Sequence, residues 1–251
     1  QGVVDADTHI AEPEAMWQLI DEKMAPRRPV LVELPEDTWF GDRNALWLID
    51  GQIFPKPAGK GSYRLVTPSA QKAEKVRGDI AIASREVANV EARVKDMDRL
   101  GVSVQVIYPT LFLVYLTDDP ELDTALAKAY NSWLGAACGK SNGRLKFVAV
   151  LPLRSIPESL KEMTRAKDLG AVGIFFRGLE GDKTLDHAYF HPVYEQAAKL
   201  GMPICIHTGS GAPWMLPYFE HARNHTFAHG RALPIFAFRD LLANRIPEKF
   251  P

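Results

Sequence analysis

The 251-residue sequence has little cysteine, no excess of charge of either sign and no long apolar segment. Its 30 Lys and Arg residues balance 31 Asp and Glu residues, so the net charge of −1 supplies no basic surface for nucleic acid or anionic membranes. No apolar run reaches the roughly 18 residues that a membrane-spanning helix needs. Cys138 and Cys205 form no CxxC pair, which favours free thiols in a reducing compartment. We therefore expect a cytoplasmic protein that binds neither nucleic acid nor membranes.

Two further signals are missing. The N-terminus has no basic region followed by an apolar run, so we expect no signal peptide unless one has already been removed. No GxGxxG motif follows a predicted strand, which argues against a dinucleotide-binding sheet. What the sequence does contain is a hydrophobic content of 46%, enough to build the core of one large domain or two small ones.

Apolar strands alternate with amphipathic helices along most of the chain. Because these strands are apolar on both faces, they are typical of a parallel sheet covered by helices. This pattern fits a (β/α)8 barrel or an open doubly wound sheet, and the spacing between strands favours the barrel. The predicted strands are 3–10, 102–109, 145–152, 171–176 and 203–207, and the predicted helices are 87–100, 123–138, 156–169 and 192–200.

The strand count is short of a complete barrel. After His207 the sequence continues with a loop and a helical region around 216–244, and no sixth strand follows. Three more strand–helix units would need about 90 residues. The alternatives are a barrel that is incomplete in this chain and an open sheet. We favour the first, an α/β fold with the first five strands of a (β/α)8 barrel.

Residues 25–88 differ from the rest because they are rich in proline and poor in helical periodicity. Within them, residues 46–54 predict a hairpin with Asp50–Gly51 as its tight turn. Residues 58–85 are polar and predict a long loop. We expect a single domain over 1–251, with 25–88 as an insertion that serves as a lid or a dimer arm.

Three side chains predict a metal site at the carboxyl ends of the strands. Asp7 and His9 end the first strand, and their spacing of two residues points both side chains to one face. His207 ends the fifth strand and precedes a glycine-rich loop that permits close approach of backbone or substrate. In a barrel these ends converge, so Asp7, His9 and His207 are predicted ligands of a divalent metal. The alternatives are an ordinary strand end with Asp7 as a helix cap, and a hydrogen-bonded loop histidine.

Other residues have two interpretations each. Arg177 ends the fourth strand and can bind a substrate carboxylate through a bidentate fork, or form a structural ion pair. Trp214 and Phe219 can wall an apolar or aromatic pocket, or pack within a loop. The histidines His221, His225 and His229 share one helical stripe, which we interpret as a surface helix end rather than a second metal site. The charged stripe over 91–99 predicts a solvated helix face.

At this point several segments together resemble the amidohydrolase-2 family, in the branch that includes aminocarboxymuconate-semialdehyde decarboxylase and the aromatic-acid decarboxylases. The resemblance implies a (β/α)8 barrel that holds one divalent metal, zinc or manganese. Its ligands would be an acid-or-histidine-x-His pair on the first strand, matched by Asp7 and His9, and a histidine ending the fifth strand, matched by His207. The fourth ligand, an aspartate ending the eighth strand, would lie beyond Pro251. The segments that carry the resemblance are Asp7-x-His9, 97–110, 129–134 and 200–209.

The resemblance also implies the chemistry. The first expectation is non-oxidative decarboxylation of a small aromatic carboxylic acid, with Asp7 and His207 as catalytic residues. Arg177, Trp214 and Phe219 are the residues whose positions in the sequence suggest that they bind the substrate. The alternatives are metal-dependent hydrolysis of an amide, ester or lactone, and a non-catalytic barrel relic or assembly subunit. An aspartate in place of a histidine slightly favours manganese. We expect a homo-oligomer.

Overall fold

The computed structural model describes residues 2–33, 45–55, 81–209, 211–214 and 232–251. The chain divides into two compact units. The first consists of Gln1–Leu111 and Lys128–Phe147, and the second of Phe112–Ala127 and Val148–Pro251. Phe219 and the histidine stripe of His221, His225 and His229 lie outside the described residues, so the predictions for them stay predictions.

The strands and helices fall close to their predicted bounds. The strands are β1 (Val3–His9), β2 (Val30–Glu33), β3 (Ala45–Ile49), β4 (Gln52–Pro55), β5 (Val102–Tyr108), β6 (Leu145–Ala149), β7 (Gly173–Arg177) and β8 (Ile204–His207). The α-helices are α1 (Ile82–Arg85), α2 (Val90–Leu100), α3 (Pro120–Gly139), α4 (Ile156–Asp168), α5 (His191–Leu200), α6 (Leu233–Ala243) and α7 (Ile246–Lys249). Short 3₁₀ helices cover Glu14–Leu19, Glu22–Arg27, Leu111–Leu113 and Ala188–Phe190. None of the helices in the described part of the chain is both long and apolar enough to cross a membrane.

Five parallel strands form the main sheet, in the order β1-β5-β6-β7-β8. In the first unit, β5 pairs with β1 and with the first half of β6. In the second unit, β7 pairs with the second half of β6 and with β8. The parallel sheet predicted from the apolar strands is therefore present, with the number of strands that the sequence indicates.

A small antiparallel sheet lies within the segment predicted as an insertion. β3 and β4 form the predicted hairpin, and β2 pairs with β3 as a third strand. Asp50 and Gly51 have positive φ angles of 50° and 77°, as a tight two-residue turn with two left-handed residues requires. In the first unit, Trp47 of this sheet packs edge-on against Trp17 at 6.0 Å between ring centroids. The roles of lid or dimer arm, and the single domain over 1–251, stay predictions.

Helix α2 ends where its sequence predicts, but it begins at Val90 rather than at Val87, and its buried face includes a charged residue. The Asn89 side chain accepts a hydrogen bond from the Ala92 backbone at its start, and Gly101 ends it with a φ of 71°. The apolar Leu100 is exposed, whereas the charged Arg93 is only 7% exposed. The prediction of a solvated charged face is therefore wrong for Arg93, because its guanidinium bonds to groups beneath the helix.

The first strand is less buried than its valines suggest. Val3 and Val4 are both exposed. Among the described strands β1 pairs only with β5, so it forms an edge of the sheet and its first residues lack a covering layer. The prediction of a buried first strand is therefore wrong at its N-terminal end, although the strand itself is where the sequence places it.

Candidate active site

Asp7 and His9 lie together at the carboxyl end of β1. The pairing of β1 with β5 is irregular between Asp5 and Thr8, and it resumes at Thr8, which pairs with Ile107. His9 Nε2 lies 3.7 Å from Asp7 Oδ1, as the two-residue spacing predicts. Asp7 is exposed and His9 is half-buried, so the carboxylate remains open to solvent. The two side chains form a candidate Asp/His metal group in the first unit.

The orientation of the His9 ring decides which nitrogen can bind a metal. Its Nδ1 lies 2.8 Å from the Pro109 carbonyl oxygen. Because a carbonyl oxygen only accepts, Nδ1 must carry the hydrogen and Nε2 the lone pair. Nε2 is also the nitrogen that faces Asp7. A backbone carbonyl that orients the imidazole in this way is a common support for a metal-binding histidine.

A buried network holds the end of β1. The Arg93 guanidinium donates to Thr8 Oγ1 at 2.9 Å, to the His9 carbonyl at 3.3 Å and to Gln105 Oε1 at 2.8 Å. Gln105 Nε2 in turn donates to Asp5 Oδ2 at 3.1 Å. Arg93 therefore positions the backbone that carries Asp7 and His9. Sequence reasoning missed this role, and the available signal was Gln105, a polar residue in the middle of a mostly apolar strand.

His207 ends β8 in the second unit and is half-buried, directly opposite Arg177 in the β7–β8 pairing. Its Nδ1 lies 2.8 Å from the carbonyl oxygen of Thr208. By the same argument as for His9, the hydrogen is on Nδ1 and Nε2 carries the lone pair. The ring lies beside Phe175, with 6.3 Å between centroids. His207 therefore presents the kind of nitrogen donor that its sequence position predicts.

The glycines after His207 permit close backbone contacts, as the sequence predicts. A Cβ on Gly211 would lie 1.6 Å from the Leu179 carbonyl oxygen, and one on Gly209 would lie 2.5 Å from that of Leu113. Gly211 also accepts a hydrogen bond from the Gly181 backbone at 2.7 Å. A side chain at either position would push the loop after β8 away from its neighbours in the second unit.

A cavity of about 440 Å³ lies within the second unit, at the carboxyl ends of β6 and β7. Arg177 and Trp214, two of the predicted substrate-binding residues, both line it. Phe112 and Phe175 add further aromatic wall. The size and the mixture of aromatic and charged walls are those of a pocket for a small molecule.

The contacts of Arg177 are those of a structural ion pair. Its guanidinium bonds to the Glu180 carboxylate, whose side chain is only 4% exposed. It also donates to the carbonyl oxygens of Phe112 at 3.3 Å and Val114 at 2.8 Å. Most of its donors are therefore engaged by the protein itself. Substrate binding by Arg177 stays a prediction.

Sequence reasoning missed Arg154 and Asp123, which are charged residues of the cavity wall. The Arg154 guanidinium lies over the Tyr115 ring, 3.9 Å from its centroid. Burial lowers the pKa of Arg154 to about 10, and repulsion by Arg177 adds to this effect. Burial raises the pKa of the Asp123 carboxyl to about 7, while Arg177 acts in the opposite direction. The signal for Arg154 was its position just after β6, where functional side chains of such folds gather.

The amidohydrolase family model matches residues 4–251 of the chain. Among curated proteins, the 2-amino-3-carboxymuconate-6-semialdehyde decarboxylase of Dictyostelium discoideum is 27% identical over 127 residues. That match covers 49% of this chain and 33% of the decarboxylase. The chain thus spans about a third of the length of this curated relative.

Solved structures share the fold over the whole chain. An amidohydrolase from Mycobacterium avium subsp. paratuberculosis superposes with a TM-score of 0.74 at 16% identity, covering 100% of this chain and 70% of its own. A second match is the 5-carboxyvanillate decarboxylase of Novosphingobium aromaticivorans, solved with manganese and 3-methoxy-4-hydroxy-5-nitrobenzoic acid. It superposes with a TM-score of 0.61 at 18% identity, covering 100% of this chain and 63% of its own. These likenesses confirm the predicted fold class, an α/β fold with five parallel strands of an incomplete (β/α)8 barrel.

Proposed function

The chain belongs to the amidohydrolase family, and from this premise we propose that it is a metal-dependent decarboxylase of a small aromatic carboxylic acid. The observation that carries the proposal is the Asp7–His9 pair, in which the His9 nitrogen that carries the lone pair faces a carboxylate. The names of a curated relative and of a structural neighbour support decarboxylation.

We propose that Asp7, His9 and His207 hold one divalent ion, manganese or zinc. One carboxylate oxygen and two imidazole nitrogens suit either metal, and the oxygen shifts the preference towards manganese. The donor set fits, because both imidazoles carry their hydrogen on Nδ1, bonded to a backbone carbonyl, and keep Nε2 for a ligand bond. The manganese in the 5-carboxyvanillate decarboxylase structure supports the same choice.

In this proposal the metal polarises the substrate carboxylate when it is bound. The chain's own residues orient and enclose the substrate. Arg93 fixes the end of β1, so that Asp7 and His9 keep their geometry. Trp214 and Phe175 offer aromatic surface to a substrate ring. The catalytic roles of Asp7 and His207 and the binding roles of Arg177 and Phe219 belong to the proposal.

Metal analysis and carbon dioxide release test the proposal. Purified protein is expected to contain about one manganese or zinc ion per chain, and His9→Ala and His207→Ala to lose it. His187→Ala, a change at an exposed histidine, serves as the matched control. A panel of hydroxybenzoates should release carbon dioxide with the wild type and not with His207→Ala. A wild-type protein without metal would refute the metal site.

Hydrolysis is the second candidate, and the description of the matching family as an amidohydrolase favours it. A divalent ion held by Asp7, His9 and His207 would then supply the activation of water that cleavage of an amide, ester or lactone needs. Cleavage of such substrates without carbon dioxide release from any benzoate would replace the decarboxylase proposal. A metal-containing protein inactive in both assays would favour a non-catalytic barrel.

We also propose a small aromatic carboxylate as the binding partner and a homo-oligomer as the assembly, which light scattering of the purified protein measures. The proposal of a cytoplasmic location rests on Cys138 and Cys205, the two cysteines of the sequence, which form no disulfide bond with each other.

A further inference from the structure

We propose that Arg154, rather than Arg177, binds the carboxylate of the substrate, in the cavity of the second unit. The identity of the ligand as an aromatic carboxylate rests on the proposed function. The assignment of Arg154 itself rests on the contacts and charges of the cavity wall.

Among the described residues, the guanidinium of Arg154 is only loosely engaged, because it donates to the Asp118 carboxylate through Nη1 at 3.5 Å. Its side chain is 20% exposed and lines the cavity just after β6. The Tyr115 ring covers one face of the guanidinium at 3.9 Å from the ring centroid, and this contact holds the plane of the group. The N–H donors lie on the edges of a guanidinium, which such stacking does not cover. A guanidinium whose plane is fixed in this way can bind a carboxylate through two parallel N–H···O hydrogen bonds.

The other two cations of the cavity already have acidic partners. Arg177 is paired with the buried carboxylate of Glu180 and with backbone carbonyls. Lys183 is paired with Asp182 at the cavity's outer part. A carboxylate already compensates the charge of each of these cations, so a substrate carboxylate would gain less from either of them than from an uncompensated guanidinium.

The positive charge of Arg154 is compensated much more weakly by neighbouring carboxylates. Its ion pair in the described part of the chain is with Asp118, at 3.5 Å, and the Asp118 side chain is 84% exposed. A pair at this distance with a solvated partner contributes little. Tyr115 donates its hydroxyl to the same Asp118 oxygen at 2.8 Å, which further occupies that carboxylate.

The remaining acid of the wall does not neutralise Arg154 fully. Burial raises the pKa of Asp123 to about 7, so a large share of this carboxyl is uncharged at neutral pH. Its partner from Arg154 is the backbone N–H, not the guanidinium. Arg154 itself, with a pKa lowered to about 10, still carries its charge at neutral pH. A bound anion would therefore supply the charge that this guanidinium lacks.

The walls around Arg154 suit an aromatic acid. Phe112, Phe175 and Trp214 offer apolar ring surface in the same cavity. A volume of about 440 Å³ accommodates a substituted benzoate. Among the described residues, the cavity therefore combines the weakly compensated cation of Arg154 with aromatic walls.

Calorimetric titration with 3-hydroxybenzoate and its uncharged analogue 3-hydroxybenzamide tests the assignment. Arg154→Gln should weaken binding of the acid roughly tenfold to a hundredfold and leave binding of the amide nearly unchanged. Arg154→Lys should give an intermediate loss, because it keeps the charge but not the fork. Arg99→Gln, at an exposed arginine of α2, is the matched control and should bind both compounds as the wild type does. Circular dichroism checks that each variant is folded.

The assignment is overturned if Arg154→Gln binds the acid as tightly as the wild type does, if it loses acid and amide by the same factor, or if the wild type binds no benzoate. Carbon dioxide release separates this result from the proposed function. If Arg154→Gln weakens binding of the acid but not of the amide, while the wild type releases no carbon dioxide, the inference stands and the decarboxylase proposal fails. If the wild type decarboxylates and Arg154→Gln binds the acid normally, the inference fails and the function stands.

Discussion

At the scale of single residues, neighbouring charges decide what each ionisable group can do. Arg177 and Arg154 line the same cavity, but Glu180 and two backbone carbonyls engage the first, and a solvated aspartate faces the second. An arginine therefore stabilises the fold at position 177, whereas at position 154 it can bind a ligand. The difference has measurable consequences for stability.

Arg177→Gln is expected to destabilise the protein by about 3 kcal/mol, because it leaves the carboxylate of Glu180 buried without its counter-charge. Urea unfolding of the variant and the wild type at pH 7 measures the difference. The double variant Arg177→Gln with Glu180→Gln should recover part of the loss, since no buried charge then remains. Equal stability of the single variant and the wild type would show that the pair is not needed.

The buried carboxyl of Asp123 makes the free energy of unfolding depend on pH. Its pKa is raised by burial from 3.8 to about 7, so the folded state keeps its proton where the unfolded state has lost it. The contribution of this group to the free energy of unfolding is therefore highest below the unfolded pKa, and it falls as the pH rises to about 7.

Asp123→Asn removes that effect while keeping an oxygen that can accept from the Arg154 backbone. We expect it to raise the free energy of unfolding by about 4 kcal/mol at pH 8, with little gain at pH 4. Thermal or urea unfolding at the two pH values provides the measurement. The same change at both pH values would contradict the prediction.

The sequence predicted the site only where one local rule applied. A strand places alternate side chains on one face, and this rule brought Asp7 and His9 together. The choice between an ion pair and a substrate contact for Arg177 depended on Glu180, three residues away across a turn whose shape has no simple pattern. Arg154 was missed because its significance comes from Tyr115 and from a cavity, neither of which is adjacent in sequence.

At the scale of secondary-structure elements, the spacing of apolar residues and the positions of glycines predicted where most helices and strands begin and end. Gly101 and Gly201 end α2 and α5 in left-handed conformations, and the Asp50–Gly51 hairpin forms where predicted. The apolar faces were harder to predict, because burial depends on what covers them. Arg93 is buried because Thr8, His9 and Gln105 lie beneath it, whereas Leu100 at the end of the same helix is exposed.

The contact between α2 and β1 yields a prediction. Arg93→Met keeps an unbranched apolar stem and removes the hydrogen bonds of the guanidinium to Thr8, His9 and Gln105. We expect about 2 kcal/mol of lost stability and roughly tenfold weaker manganese binding, since the strand end that carries two proposed ligands loses its support. Urea unfolding and competitive metal titration measure both effects.

Arg99→Met provides the control for that change, because Arg99 lies on the exposed side of the same helix. It should leave both quantities within error of the wild type. An Arg93→Met protein that is less stable but binds manganese as tightly as before would refute the link between this network and the metal.

At the scale of the whole molecule, the alternation of strands and helices predicted the fold class, because parallel strands need covering helices between them. The order of the five parallel strands follows the chain, as short right-handed connections favour. The division into two compact units was not predicted. That division depends on long-range packing, which composition and periodicity do not encode in any simple way.

Metal binding should stabilise the whole molecule. Manganese at about 100 times its dissociation constant is expected to add roughly 2.7 kcal/mol, or about 5–10 °C in the melting temperature of a chain of this length. Treatment with a chelator should reverse the gain, as differential scanning fluorimetry can follow. His207→Ala should show neither effect, and a shift of equal size in that variant would rule out His207 as a ligand.

The two backbone carbonyls that orient His9 and His207 have a consequence for any mutational survey of this protein. The acceptors belong to Pro109 and Thr208, and every amino acid offers the same main-chain oxygen. Side-chain scanning at either position would leave the imidazole tautomers intact and would score both sites as unimportant. Altering these anchors requires replacing the peptide bond itself, for example by an ester, which weakens the acceptor without changing either histidine.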